Sequence, residues 1–148
     1  ELIARGADIV MTRENDSPVS LSDRVKMAKD KDCTLSVSIH ANALPDGGDP
    51  SKSTGTAVYY YHNQAKPLAQ AILTSMTQEL GVKNNGTIQA SFALVRPTNA
   101  VSVLVETAYI INPDDYALLT DENFQRRCAK AIADGIERYL SGEYINLR

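Results

Sequence analysis

The run Val101-Ser102-Val103-Leu104-Val105, followed at once by Glu106, is the most apolar of the strand-like stretches in this chain. Five residues rich in valine are too short for a helix and carry the β-branched side chains that pack well on a pleated sheet. The run reads as a buried strand that ends on a carboxylate. A second strand is expected just before it over residues 91–95, across the turn Arg96-Pro97-Thr98-Asn99. After it, Phe124, Cys128, Ile132, Ile136 and Tyr139 form an apolar stripe that predicts a long helix over 121–140. Toward the N-terminus, Leu68, Ile72, Met76 and Leu80 recur every four residues and predict another helix closed by Gly81. Residues 56–61 and 34–39 read as strands, and 7–12 as a further short one. Between the last two, Ser20 is an expected N-cap with Asp23 in the first turn of a helix that runs to about residue 32 and carries Leu21, Val25 and Ala28 on one face. Residues 1–4 read as the tail of a helix capped by Gly6, and 14–20 and 43–54 as polar loops.

Strands that alternate with helices predict an α/β fold with a mostly parallel, mixed sheet and helices on both faces. The runs at 91–95 and 101–105 are the expected antiparallel pair. A length of 148 residues suits one domain, 1–148. The net charge of −3 gives no basic footprint for nucleic acid or an anionic membrane, and the apolar runs are far shorter than a membrane span. Cys33 and Cys128 read as two buried, unpaired thiols; the sequence leaves a disulfide open, and no Cys-x-x-Cys pair is present.

Two residues stand out for chemistry because both follow directly on apolar strands: His40 in Ser38-Ile39-His40-Ala41-Asn42, and Glu106 in Val103-Leu104-Val105-Glu106-Thr107. In open α/β sheets, ligands gather at the carboxyl ends of the strands. A carboxylate held at the end of such a strand is partly desolvated, which raises its pKa toward the range of a general base. Each residue alone is more often structural, a hydrogen-bonded histidine or a helix-capping glutamate. The coincidence of the two at equivalent strand ends is what gives the functional reading its weight. His62 ends a strand beside the polar Asn63-Gln64 and is a weaker ligand candidate. Tyr59, Tyr60 and Tyr61 read as strand formers rather than a stacking platform. Arg13 and Arg24 read as loop-fixing groups that bond bidentately.

The order of these segments resembles the zinc-dependent N-acetylmuramoyl-L-alanine amidases (amidase type 3) of bacterial cell-wall turnover. The resemblance rests on Gly6-x-x-Ile9-Val10-Met11-Thr12-Arg13, Leu21-x-x-Arg24, the His40 segment, and Gly55-Thr56-Ala57-Val58-Tyr59-Tyr60-Tyr61. It continues through Phe92-Ala93-Leu94-Val95-Arg96, the Glu106 segment to Tyr109, and Asn112-Pro113. It implies a peptidoglycan hydrolase that cuts the amide between the lactyl group of N-acetylmuramic acid and the L-alanine of the stem peptide. In such enzymes Zn2+ is held by two histidines and a glutamate, and a second glutamate is the general base. By the resemblance, His40 matches the second zinc histidine and Glu106 the base. The other two ligands, a His and a Glu, are expected upstream of residue 1, as are the first strand and the start of the first helix.

The implied partner is peptidoglycan (muramyl peptides), outside the cytoplasm, in the cell wall or periplasm of a bacterium. Neither nucleic acid nor membrane insertion is expected, and a wall-binding domain is expected elsewhere in the parent protein. The polar loop around Gly47-Gly48 falls where some family members carry an autoinhibitory helix, and it is too short for one. With only one recognisable ligand, residues 1–148 alone are expected to bind zinc weakly and to hydrolyse peptidoglycan poorly. The competing expectation is a metal-free peptidoglycan-binding module.

Overall fold

The computed structural model describes residues 1–44 and 49–143. Its regular elements are α1 (Leu21–Asp30), β1 (Leu35–Asn42), β2 (Thr56–Tyr60), α2 (Lys66–Leu80), β3 (Asn84–Gln89), β4 (Val101–Tyr109), α3 (Pro113–Thr120) and α4 (Glu122–Leu140). The four strands form one sheet in the order β1-β4-β2-β3. The β1–β4 and β2–β3 pairs are parallel, and β2–β4 is antiparallel. The expected α/β class with a mostly parallel, mixed sheet is what the chain forms.

β4 lies inside the sheet, so both its faces need cover, and its sequence supplies it. Val103 and Val105 project to one face and join Val58 and Tyr60 of β2 under α2 and α4. Those helices present the stripes legible in the sequence: Leu68, Ile72 and Met76 from α2, and Phe124, Cys128, Ile132 and Ile136 from α4. The two helices cross so closely that a Cβ on Gly135 would lie 2.4 Å from the Cα of Ile72. Glycine inside a helix costs about 0.5–1 kcal/mol relative to alanine; here it allows two backbones to meet. On the opposite face the apolar cover is small: Leu94, Val95 and Leu104, with Val25 of α1 and Tyr59 packed against them. No residue of α1 is fully buried.

Ser20 caps α1 by accepting the amide of Asp23 at 3.1 Å. Gly6 and Gly81 end their helical segments in the left-handed conformation, at φ 86° and 68°. The first segment is a short 3-10 turn over Ile3–Arg5 rather than the tail of an α-helix.

Three expectations fail. Residues 7–12 form no strand and leave Ile9, Val10 and Met11 exposed; β-propensity forms nothing without a neighbour to bond. Residues 91–95 are not a strand either, but a turn in which the amides of Val95 and Arg96 both donate to the carbonyl of Phe92. The antiparallel pair is therefore β2–β4, not 91–95 with 101–105. The strand that precedes this turn, β3, has the polar sequence Asn84-Asn85-Gly86-Thr87-Ile88-Gln89. As a half-exposed edge strand it shows no apolar alternation to read.

The helix α3 also went unforeseen, although its start is well signalled. Asn112 caps it by accepting the amides of Asp114 and Asp115 at 2.9 and 3.1 Å, and Pro113 takes the first helical position. Asp115 is buried, accepts from the amides of Gly55 at 3.1 Å and Tyr109 at 2.8 Å, and also accepts from the Thr54 hydroxyl. This carboxylate ties the entry of β2 to the exit of β4. Gly55 lies at φ 96° with no room for a Cβ against the Lys83 carbonyl. Both cysteines are free thiols; Cys128 is buried, and burial pushes its pKa up to about 11, whereas Cys33 is half-buried. The Gly47-Gly48 expectation lies outside the described residues.

Candidate active site

His40 and Glu106 are register partners in the parallel β1–β4 pair. Partners in a parallel ladder share a face, so the two side chains project together at the carboxyl end of both strands. That face is the one carrying Leu104, not the one under α2 and α4. Two threonines fix the backbone beneath them. Thr107 donates its hydroxyl to the carbonyl of His40 at 2.9 Å, and Thr56 of β2 donates to the carbonyl of Glu106 at 2.7 Å.

The electrostatics follow from this placement. Glu106 sits on an interior strand between β1 and β2, and its Oε2 is buried with no hydrogen-bond partner among the described residues. Desolvation penalises the charged form, and the carboxyl pKa rises to about 7. His40 is lowered below the ordinary histidine range, by burial first and then by the positive charge of Arg24. The two shifts push in opposite directions on the charge: at neutral pH the imidazole is neutral and free to ligate, and the carboxyl can both take and give a proton.

Between His40 and Asn42 the register slips, because two residues of β1 span three of β4. In a regular strand Glu106 and Tyr109 would point to opposite faces. The extra residue on β4 pairs Tyr109 with Asn42, so it comes to the face of Glu106. Bulges beside functional sites commonly re-aim a side chain in this way.

Other candidates fall elsewhere. His62 follows β2, which runs antiparallel to β4, so it lies toward the other end of the sheet; its Nε2 is 2.7 Å from the carbonyl of Arg96. Of the tyrosines, Tyr60 enters the helix-covered core, Tyr59 projects to the site face, and Tyr61 is exposed. Alternation along the strand thus separates them, and they form no common platform. Arg24 fixes a loop, donating to Thr12 Oγ1 at 3.0 Å and to the Val19 carbonyl at 3.2 Å. Arg13 is exposed. Among the described residues no group of three His, Cys, Asp or Glu side chains is placed to hold a metal ion. No helix among them is long and apolar enough to cross a membrane.

The chain is similar to known proteins over almost its whole length. Within the curated relatives, "Probable cell wall amidase LytH" of Staphylococcus epidermidis is 34% identical over 136 residues, covering 92% of this chain and 44% of the relative. N-acetylmuramoyl-L-alanine amidase LytC of Bacillus subtilis is 36% identical over 143 residues, 94% of this chain and 28% of its own. The chain thus spans less than half the length of these relatives. Among solved structures, the amidase AmiC2 of Nostoc punctiforme superposes with a TM-score of 0.88 at 36% identity, covering 95% of this chain and 76% of that one. The catalytic domain of the amidase CwlV of Bacillus (Paenibacillus) polymyxa gives 0.83 at 36% identity, covering 90% and 73%. The family model described as N-acetylmuramoyl-L-alanine amidase matches residues 1–138, and the chain belongs to that family.

Proposed function

We propose that residues 1–148 form a catalytic domain that hydrolyses the amide between N-acetylmuramic acid and the L-alanine of the stem peptide in bacterial peptidoglycan. The observation that carries this reading is the pairing of a neutral imidazole with a buried, unpartnered carboxyl at one end of the sheet. His40 fits a zinc ligand by its chemistry and protonation state, and the unpartnered oxygen of Glu106 suits a group that must engage water. One imidazole does not hold zinc against solvent, since catalytic sites use three protein ligands. The other two, a His and a Glu, are proposed to come from upstream of residue 1 in a parent protein, which would also carry any wall-binding domain. The place of action is outside the cytoplasm, where peptidoglycan lies.

Zinc, when bound, supplies Lewis-acid activation of water and of the scissile carbonyl. Glu106 then does the proton work. Its carboxylate takes a proton from the attacking water as the new C–O bond forms, and returns it to the nitrogen as the C–N bond breaks, releasing the amine of L-alanine. A carboxyl with a pKa of about 7 suits both transfers at neutral pH. His40 takes no part in proton transfer. The Glu106→Gln variant of the protein with its ligand set complete tests the assignment. It is expected to keep its zinc and to release L-alanine amino termini from purified cell wall at least about 100-fold more slowly, the lower range for loss of a general base. Loss of zinc in that variant, by metal analysis, would make Glu106 a ligand instead. A zinc-free but wall-binding parent protein would favour the non-catalytic module, which the lack of a three-ligand group among the described residues would then explain.

A further inference from the structure

Glu106 is the last residue of β4 in regular register on both sides. The pairing with β2 runs from Val103 opposite Tyr60 to Glu106 opposite Ala57. The pairing with β1 is regular up to His40 opposite Glu106 and then slips. The proposed base therefore stands where both regular ladders give out. Backbone without ladder bonds opens locally at little cost, so the position of Glu106 depends on what holds the bulge that follows it.

The holder is Asp115, in the first turn of α3 and only 3% exposed. Its Oδ2 accepts the amide of Tyr109 at 2.8 Å and that of Gly55 at 3.1 Å, and its Oδ1 accepts from the Thr54 hydroxyl. The helix is itself anchored, since the Asn112 side chain that caps it donates to the Pro50 carbonyl at 3.1 Å. The two segments that Asp115 joins also carry the two hydroxyls beneath the site. Thr56, next to Gly55 and fully buried, donates to the Glu106 carbonyl at 2.7 Å. Thr107, within the bulge that ends at Tyr109, donates to the His40 carbonyl at 2.9 Å. A closed circuit thus runs from Asp115 through Gly55 and Thr56 to Glu106, and along the bulge through Tyr109 back to Asp115.

We propose that Asp115 is a positioning residue of this site: by holding the bulge of β4 against the entry of β2, it sets where Glu106 and His40 stand relative to each other. It acts through Thr56 and Thr107 and touches none of the reacting atoms. The inference rests on the reading of Glu106 as the general base. A displacement of about 1 Å in a catalytic group can cost on the order of 100-fold in rate, so a clamp on this backbone matters to the chemistry as well as to the fold. Asp115 serves only as an acceptor, which predicts what can replace it. In Asp115→Asn the amide oxygen can take both backbone amides, and Nδ2 can donate to the Thr54 hydroxyl, which also accepts. Asp115→Ala supplies neither group.

The test compares the two variants in the protein with its ligand set complete, by release of L-alanine amino termini from soluble peptidoglycan fragments and by amide hydrogen exchange. Asp115→Ala is expected to lower kcat per folded molecule about 10–100-fold and to leave KM within about twofold. Asp115→Asn is expected to recover kcat to within about fivefold of the unmutated protein, the weight of one net hydrogen bond. In Asp115→Ala, exchange should quicken more at Tyr109 and Ile110 than at Val103 in mid-strand; the Ile110 amide donates to the Asn42 carbonyl of β1 at 2.9 Å and reports whether the slack reaches that strand. Equal quickening at all three would mark a general loss of stability and overturn the positioning role. An unchanged kcat in Asp115→Ala overturns it too, as does an Asp115→Asn as slow as Asp115→Ala; both leave the reading of the site standing. If Asp115→Ala does not fold, Thr107→Val decides, because it keeps the shape of the side chain and removes its bond to His40: a loss of kcat supports the role and an unchanged kcat overturns it. If the unmutated protein releases no L-alanine amino termini, the reading of the site falls and the role of Asp115 with it.

Discussion

On the face covered by α2 and α4, β4 contributes Val103 and Val105, both fully buried; on the opposite face the same strand contributes Leu104 and Glu106, under a cover of only a few side chains. One strand thus serves two surfaces that differ in kind. The first is a continuous core closed by two amphipathic helices that meet at Gly135. The second is thin, and its carboxyl end holds His40, Asn42, Tyr59, Glu106 and Tyr109. The contrast teaches that the dense face supplies the stability against which the thin face can hold an unpartnered, partly desolvated carboxyl. A buried polar group without a partner costs on the order of 1–3 kcal/mol; it persists because the rest of the fold over-determines its position.

The comparison breaks if damage to the two faces has similar consequences. The largest effect is expected from Gly135→Ala. The new Cβ would meet the backbone of Ile72 at 2.4 Å, and no side-chain rotation relieves a clash with backbone. Overpacking of this kind is expected to cost about 3 kcal/mol, well above the roughly 1 kcal/mol that alanine gains in helix propensity. Urea denaturation should show the midpoint falling accordingly, and an unchanged midpoint would mean that the helices separate freely and the core is not the rigid half.

The second prediction works on the thin face and has the opposite sign. Because burial lifts the Glu106 pKa from 4.5 to about 7, the folded state disfavours the charged carboxylate. Below pH 4.5 the group is protonated in folded and unfolded chains alike, and there is no penalty. The stability held there is lost as pH rises through about 7. The metal-free Glu106→Gln variant should therefore be more stable than the parent at pH 8, by about 1–2 kcal/mol once solvent screening of this half-buried group is allowed for. It should show no gain at pH 4. Thermal melts at the two pH values decide it, and a gain of equal size at both would point to a cause other than ionisation. The smallest effect is expected from Val25→Ala on α1. Val25 is only partly buried against the second cluster, so the loss should stay below about 1 kcal/mol. A loss as large as that of Gly135→Ala would show that the thin face carries core stability after all.

Much of this architecture was legible in the residues. The stripes of α2 and α4, the cap at Ser20, the turn at Gly81 and the strands at β1, β2 and β4 all follow from periodicities and local chemistry that do not depend on distant neighbours. So does the pairing of interest: two apolar runs that end in His40 and Glu106 need only be adjacent and parallel to bring the two groups together, and the structure pairs them. The failures have a common cause. Residues 7–12 and 91–95 have the composition of strands, yet strand formation needs a hydrogen-bonding neighbour, and propensity does not say whether one is there. β3 has the neighbour without the composition.

The sequence by itself determined the α/β class, the two helices that close the main core, and the residue types at the strand ends, because each depends on short-range periodicity. Tertiary structure decided the rest. It set β4 between β1 and β2, parallel to the first and antiparallel to the second, since that depends on which edges meet. The register slip that turns Tyr109 to the site is likewise a property of two paired strands, not of either one alone. The pKa of Glu106 near 7 is decided there too, because desolvation is a sum over surrounding atoms that no single strand contains.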